Sequence, residues 1–212
     1  DVYVKLMGGG MPIQTAVLAS GNKDKLKELS PLLASVGFEL TPQSHFEISA
    51  IPETGASFVE NALLKARHAS RLTSLPAFAD DSGLVVPSLN GAPGIYSARY
   101  AGVSASSEKN NTKLLEALHD SISRRAYFFC TLVFLLHAED PTPIVASGEW
   151  HGDIADGAKG TNGFGYDPLF VAQGFQITAG QMEPELKNRI SHRAIASRSL
   201  IRSILDRRGQ MQ

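Results

Sequence analysis

The run Phe78-Ala79-Asp80-Asp81-Ser82-Gly83-Leu84-Val85-Val86 constrains this chain more tightly than any other stretch. Two adjacent carboxylates, a hydroxyl and a glycine interrupt apolar and β-branched residues, the pattern of a strand giving way to a tight turn. Charge at the edge of a buried strand is costly. An isolated carboxylate there must neutralise or find a cation, so paired aspartates at such a lip point to a metal or a positively charged ligand. Turn chemistry alone explains Asp-Asp-Ser-Gly equally well, because Asp and Ser bond their own backbone and Gly takes positive φ. The rest of the chain separates the two readings.

The 212 residues suffice for one substantial core, as one domain or two tightly joined lobes. Twenty basic against 21 acidic side chains leave a net charge of −1, which disfavours bulk polyanion binding and leaves room only for a local patch. Cys130 is the only cysteine and lies in the apolar run 127–133, so it reads as a small buried hydrophobe in a reducing cytoplasm. The longest mostly apolar run, 128–136, is far shorter than the roughly 18 residues of a membrane-spanning helix. Residues 1–10 end in Met7-Gly8-Gly9-Gly10 and are expected to be an expression remnant or flexible extension, with the domain over 11–212.

Residues 13–19 form a β-compatible run leading into Ser20-Gly21-Asn22-Lys23-Asp24-Lys25, after which Leu26, Leu29, Leu33 and Val36 recur at helical spacing. Strand, polar turn and helix start together offer unpaired N–H groups and the positive end of a dipole, with donors from Ser20, Asn22, Lys23 and Lys25. An anion, above all phosphate, fits there; a plain capped turn with solvated lysines fits as well. No Walker loop occurs. Pro31 is expected to kink or restart the helix.

A strand is expected near 38–41, then a helix from about 57 to 72 with Val59, Leu63, Ala66 and Ala69 on its apolar face. Phe58, Asn61, Lys65 and His68 form a second stripe that can border a cleft, with His68 read as surface or structural. Residues 91–100 make a long irregular segment, and Ser106 or Ser107 caps the next helix. Strands over 126–137 and 144–154, turned at Pro141-Thr142-Pro143, form the mechanical core, with Trp150 as packing.

Gly160-Thr161-Asn162-Gly163-Phe164-Gly165-Tyr166-Asp167-Pro168 brings glycines, aromatic rings and a carboxylate together, suited to close approach by a flat ligand. It is no dinucleotide fingerprint, since the glycine order is wrong and a strand follows instead of a helix. Ser191 is the expected N-cap of a C-terminal helix, so His192 and Arg193 stand at a helix start, where cations are disfavoured unless they serve a ligand.

An anion-cradling turn, a carboxylate pair, a glycine-aromatic platform and a basic helix start are the parts needed to hold triphosphate, metal and base. Four blocks carry a resemblance in their family order: Ser20 through Lys25; Ala79 through Leu84 with Gly91 through Tyr100; Gly163 through Pro168; and Ser191-His192-Arg193. On these the chain resembles the Ham1 family of inosine triphosphate pyrophosphatases, the bacterial dITP/XTP pyrophosphatases. Two positions depart from the family pattern: a proline common before the glycine-aromatic block is replaced near Ala158, and Leu186 stands where an acidic residue is common.

The resemblance implies an α/β fold with an elongated mixed β-sheet flanked by helices, two lobes around a central cleft, and a homodimer. It implies hydrolysis of ITP, dITP or XTP to monophosphate and pyrophosphate, with Asp81 as general base and Glu53 and Asp81 placing Mg²⁺. Asp80 is a partner behind the metal or a further metal contact. Substrate binding is implied for Ser20, Gly21, Asn22, Lys23, Asp24, Lys25, Lys65 and Ser82 on the phosphate side. On the base side it is implied for Phe164, Gly165, Tyr166, Asp167, Lys187, His192 and Arg193. Selectivity then follows from polarity: hypoxanthine and xanthine offer an acceptor at position 6 that Arg193 or His192 can meet, whereas adenine offers a donor. A Maf-like pyrophosphatase is the nearest alternative, opposed by Ser191-His192-Arg193. A nucleic-acid-binding module is opposed by the near-neutral charge and the carboxylate pair.

Overall fold

A computed structural model describes residues 13–210; the extension expected at 1–10 lies outside them. Six strands form one mixed sheet in the order β2-β1-β3-β4-β5-β6. These are β1 (Gln14–Leu18), β2 (Phe38–Pro42), β3 (Ala77–Val85), β4 (Arg125–Leu135), β5 (Ile144–Ile154) and β6 (Phe170–Ala172). β1 pairs in parallel with β2 and β3, and the sheet continues antiparallel from β3 to β6. The helices are α1 (Lys23–Ala34), α2 (Phe58–Thr73), α3 (Ser107–Ala117), α4 (Pro184–Ile190) and α5 (His192–Gln210).

The strand period of two divides the core. On one face Leu18, Phe78, Phe134 and Ile144 pack with Leu29 and Leu33 of α1 and Leu200 and Ile204 of α5. Farther along the same sheet Leu84, Phe128, Trp150 and Phe170 pack with Leu114 and Leu118 around α3. The opposite face carries Val17, Ala77, Ala79 and Val133 against Ala62, Ala66 and Ala69 of α2. Small residues on both sides let α2 lie close to the strands. Between Phe78 of the first cluster and Leu84 of the second, β3 places Asp80 and Ser82, so the polar gap between two apolar clusters is written into one strand.

Two expectations are corrected here. Asp80-Asp81-Ser82-Gly83 is no turn: β3 runs through it, and β4 pairs with every residue from Ala77 to Val85, including Asp80 with Leu132 and Asp81 with Thr131. The ladder survives because each carboxylate finds cations on its own face. Pro31 does not restart the helix, since α1 is helical throughout. Leu29 and Leu33 on either side are buried in the same core, and Pro31 itself is exposed, so the carbonyl it fails to bond can turn to water.

The other elements follow the sequence closely. Ser57 caps α2 and Ser106 caps α3. Along β5, Ile144, Ala146, Gly148, Trp150, Gly152 and Ile154 are buried while the residues between them are exposed. Gly148 matters most among them. A methyl group there would run into the His192 carbonyl and the Ala196 amide, so its absence lets α5 settle on the sheet and sets where His192 and Arg193 enter.

Candidate active site

The cleft starts at the β1–α1 turn. Asn22 caps α1, its Oδ1 accepting from the amides of Asp24 (2.8 Å) and Lys25 (3.3 Å), while Ser20 Oγ accepts from Asn22 N at 3.1 Å. This is the capped turn allowed by sequence, and it aims Lys25 at the sheet, where its ammonium pairs with the Asp80 carboxylate.

Asp80 is the hub of one face. Arg193 Nε donates to its Oδ2 at 3.0 Å, Ser82 Oγ to its Oδ1 at 3.2 Å, and the Cys130 thiol to Oδ2 at 3.1 Å. Burial opposes its charge, but Lys25 and Arg193 outweigh burial and hold its pKa well below the usual carboxylate range. Arg193 is itself tied at Nη1 to Glu28 (2.6 Å) and at Nη2 to Ser82 (3.1 Å). It does not project freely from the helix start. The cost of a cation at that dipole end is offset by Asp80 and Glu28.

Asp81 points the other way. Lys65 of α2 donates to Asp81 Oδ1 at 2.8 Å, to Glu53 Oε1 at 2.8 Å and to the Asp80 carbonyl at 2.9 Å, using all three of its protons. Burial pushes the Asp81 pKa up and neighbouring Glu53 adds to this, so it stays raised although Lys65 pulls against it. For Glu53 burial likewise favours the neutral form, but Lys65 and Arg99 prevail and its pKa is lowered. Lys65 has its own pKa raised: burial opposes its charge, and Asp81 and Glu53 outweigh that. Alternation along β3 thus sends the two carboxylates to opposite faces, Asp80 to Lys25 and Arg193 and Asp81 to Lys65.

Two cavities meet in this cleft. One, of about 570 Å³, is lined by Ser20, Gly21, Lys25, Glu53, Lys65, Asp81, Ser82 and Arg99 among others. The second, of about 290 Å³, is lined by Asn22, Lys25, Ser82, Phe128, Phe164, Gly165, Tyr166, Asp167, Lys187, His192 and Arg193 among others. Lys25, Ser82 and Ala98 belong to both and mark the neck between them.

The second cavity has an aromatic and polar character. Phe164 is 40% exposed, with Lys187 Nζ 4.9 Å and Arg193 Cζ 5.9 Å from its ring centroid. Asp167 Oδ2 accepts from Lys187 Nζ at 2.5 Å and from the Phe164 amide at 2.7 Å. Burial raises the Asp167 pKa despite Lys187. His192 stacks on Phe128 with centroids 4.9 Å apart and planes 14° apart, and its Nδ1 is buried without a hydrogen-bond partner among the described residues. Burial, then Arg193, push its pKa well below the usual value, so the ring is neutral. Tyr166 backs the wall, its hydroxyl donating to the Ser97 carbonyl at 2.8 Å.

Lys23 and Asp24 are exposed and line neither cavity; Asp24 instead faces a separate groove beside Lys27 and Glu28. Asn61 is not a cleft residue either, since its Oδ1 accepts from Gly55 N at 2.8 Å and braces the loop that carries Glu53. Sequence reading gave no role to Glu28 or Arg99, whose partners lie 165 and 46 residues away, and it placed Cys130 correctly as buried without its thiol bond to Asp80, 50 residues away. It also set aside His68, which lines the larger cavity one helical turn beyond Lys65, a spacing that was open to view.

The sequence model described as the Ham1 family matches residues 16–203. The chain belongs to the Ham1 family. It is 54% identical over 186 residues to a Legionella pneumophila protein named dITP/XTP pyrophosphatase, covering 87% of this chain and 95% of that one. To a protein of the same name from Thioalkalivibrio sulfidiphilus it is 52% identical over 193 residues, covering 90% and 98%. Among solved structures, a HAM1 protein from Coxiella burnetii superposes with a TM-score of 0.87 at 44% identity, over 92% of this chain and all of that one. A dITP/XTP pyrophosphatase from Mycobacterium abscessus gives 0.74 at 42% identity, over 88% and 98%. The α/β fold with a mixed sheet, expected from resemblance, is therefore that of its Ham1 neighbours.

Proposed function

We infer that this Ham1 family member hydrolyses non-canonical purine nucleoside triphosphates to the monophosphate and pyrophosphate. One observation carries this reading: two joined cavities of unlike chemistry, one lined by cations and carboxylates and the other by Phe164 and polar groups, meet at Lys25 and Ser82. A purine in the smaller cavity directs its phosphates through that neck toward Asp81. The names of the relatives agree with it.

In this reading Asp81 is the general base, favoured by a raised pKa and a position beside the neck. Water attacks the α-phosphorus, its proton passes to Asp81, and the bridging oxygen leaves with the pyrophosphate. Ser20, Gly21, Asn22, Lys25 and Ser82 hold phosphate oxygens, Lys65 joins them by giving up one of its three protein bonds, and Phe164 stacks on the base. Asp167 and Lys187 address its edge, with His192 offering its unpartnered Nδ1. Arg193, spent on Asp80, Glu28 and Ser82, acts mainly by holding that wall.

The donor set fits Mg²⁺. Glu53 and Asp81 already share one cation, the Lys65 ammonium, and no group of three or more His, Cys, Asp or Glu side chains able to hold a metal occurs among the described residues. Two carboxylates completed by phosphate and water oxygens suit a hard ion that keeps part of its hydration shell. When bound, it would neutralise phosphate charge.

As a working unit we take the two lobes as one catalytic domain acting as a cytoplasmic homodimer, to be checked by sedimentation of the purified protein. Among the described residues no helix is long and apolar enough to cross a membrane. The test of the activity is pyrophosphate release from ITP, XTP, GTP and ATP, with and without Mg²⁺. Turnover of ITP and XTP that requires the metal supports the reading, and a folded parent inert to every triphosphate would overturn it.

A further inference from the structure

Two arginines border the cleft, and the structure treats them differently. Arg193 is almost wholly buried and bound by three partners. Arg99 ends the 3-10 turn Gly94–Arg99 on the wall of the larger cavity, with its side chain 34% accessible. Its one hydrogen bond among the described residues runs from Nη1 to Glu53 Oε2 at 3.4 Å, at the long limit of such bonds. Lys65 holds the other oxygen of Glu53 at 2.8 Å, so Glu53 does not depend on Arg99 for its cation. The guanidinium otherwise rests on Tyr96, its Cζ 5.2 Å from a ring that is itself 56% exposed. Most of a five-donor planar fork is therefore unspent and faces a cavity built for phosphate.

Position along the substrate follows from the neck. The phosphate nearest the nucleoside must lie near Lys25 and Ser82, where the cavities join and Asp81 is adjacent in sequence to Ser82. Arg99 lines the larger cavity alone, beyond that neck. Resting on the pyrophosphatase reading above, we propose that Arg99 grips the departing pyrophosphate, exchanging its long bond to Glu53 for the oxygens of the β- and γ-phosphates. The bond from the α-phosphorus to the bridging oxygen breaks, its electron pair stays on the pyrophosphate, and the fork meets the charge that collects there.

The test compares the parent with Arg99→Gln and Arg99→Lys. Titration calorimetry measures inorganic pyrophosphate and inosine monophosphate separately, alongside kcat on ITP. In Arg99→Gln we expect pyrophosphate to bind at least about tenfold more weakly, inosine monophosphate to bind as in the parent, and kcat to fall about 100-fold, as for loss of one preorganised donor. Arg99→Lys keeps the charge without the fork and should lie between. Equal weakening of both ligands would make Arg99 a brace for Glu53, and unchanged pyrophosphate binding would remove it from the subsite; either result overturns the proposal. Because calorimetry needs no turnover, a parent inert to ITP would sink the pyrophosphatase reading while the pyrophosphate affinities still decide on Arg99.

Discussion

Asp80 and Asp81 are neighbours in the chain and work on opposite faces of one strand. Asp80 turns to Lys25 of α1 and Arg193 of α5, Asp81 to Lys65 of α2. Their pKa values move apart, down for Asp80 because Lys25 and Arg193 outweigh burial, and up for Asp81 because burial outweighs Lys65. Groups pushed apart in this way take different tasks, one as a fixed charge and one as a proton acceptor.

Replacing each aspartate by asparagine separates those tasks. Asp81→Asn removes the proposed base and should lower kcat on ITP by about 10²–10⁴ while the protein stays folded, because Lys65 keeps Glu53. Asp80→Asn leaves the buried Arg193 and Lys25 without their shared carboxylate and should cost about 3–5 kcal/mol of stability. Urea unfolding beside pyrophosphate release checks both; equal stability loss in the two variants would contradict the division.

Lys65 sets where Asp81 titrates. It pulls the Asp81 pKa down against burial, so Lys65→Met should raise that pKa further. The acid limb of kcat/KM for ITP, already expected above the ordinary aspartate value, then moves to higher pH. A profile measured from about pH 5 to 9 reads the shift, and an unmoved limb would mean another group supplies the base.

His192 couples stability to pH. Its folded-state pKa lies well below the ordinary value of 6.5, so the unfolded chain binds the extra proton first as pH falls. Stability is unaffected by this group above about pH 6.5 and declines below it, down to the folded-state pKa. In His192→Phe, which keeps an aromatic ring against Phe128, the slope of unfolding free energy between about pH 6.5 and 5 should flatten. A slope identical to that of the parent would assign it to other groups.

Gly83 holds the wall that carries Arg99. A methyl group added there would lie 2.5 Å from the Gly94 carbonyl and 2.5 Å from Ser97 Oγ, the hydroxyl that accepts from Leu84 N and donates to Gly94 O. Gly83→Ala should therefore cost about 1–3 kcal/mol and weaken pyrophosphate binding as the 94–99 turn moves off β3. Thermal unfolding and calorimetry on the variant would show both effects, or neither if the turn is pliant.

Periodicity and capping in the sequence by themselves determined the strands around 38–41 and 144–154, the helix from about 57 to 72, the Ser106 cap and the buried place of Trp150, because these depend on neighbours a few residues away. The motif blocks likewise named most of the side chains that line the two cavities. What only the tertiary structure decided is which partner each charge meets. The Asp80-Asp81 run has the composition of a turn, and only pairing along β4 makes it a strand whose period of two sends the carboxylates apart. Glu28, Cys130 and Arg99 carry no local mark of their roles, since their partners come from α5, β3 and the loop before α2. Local interactions choose the elements, but in a low-dielectric interior the charge of a side chain is set by whatever the fold packs against it.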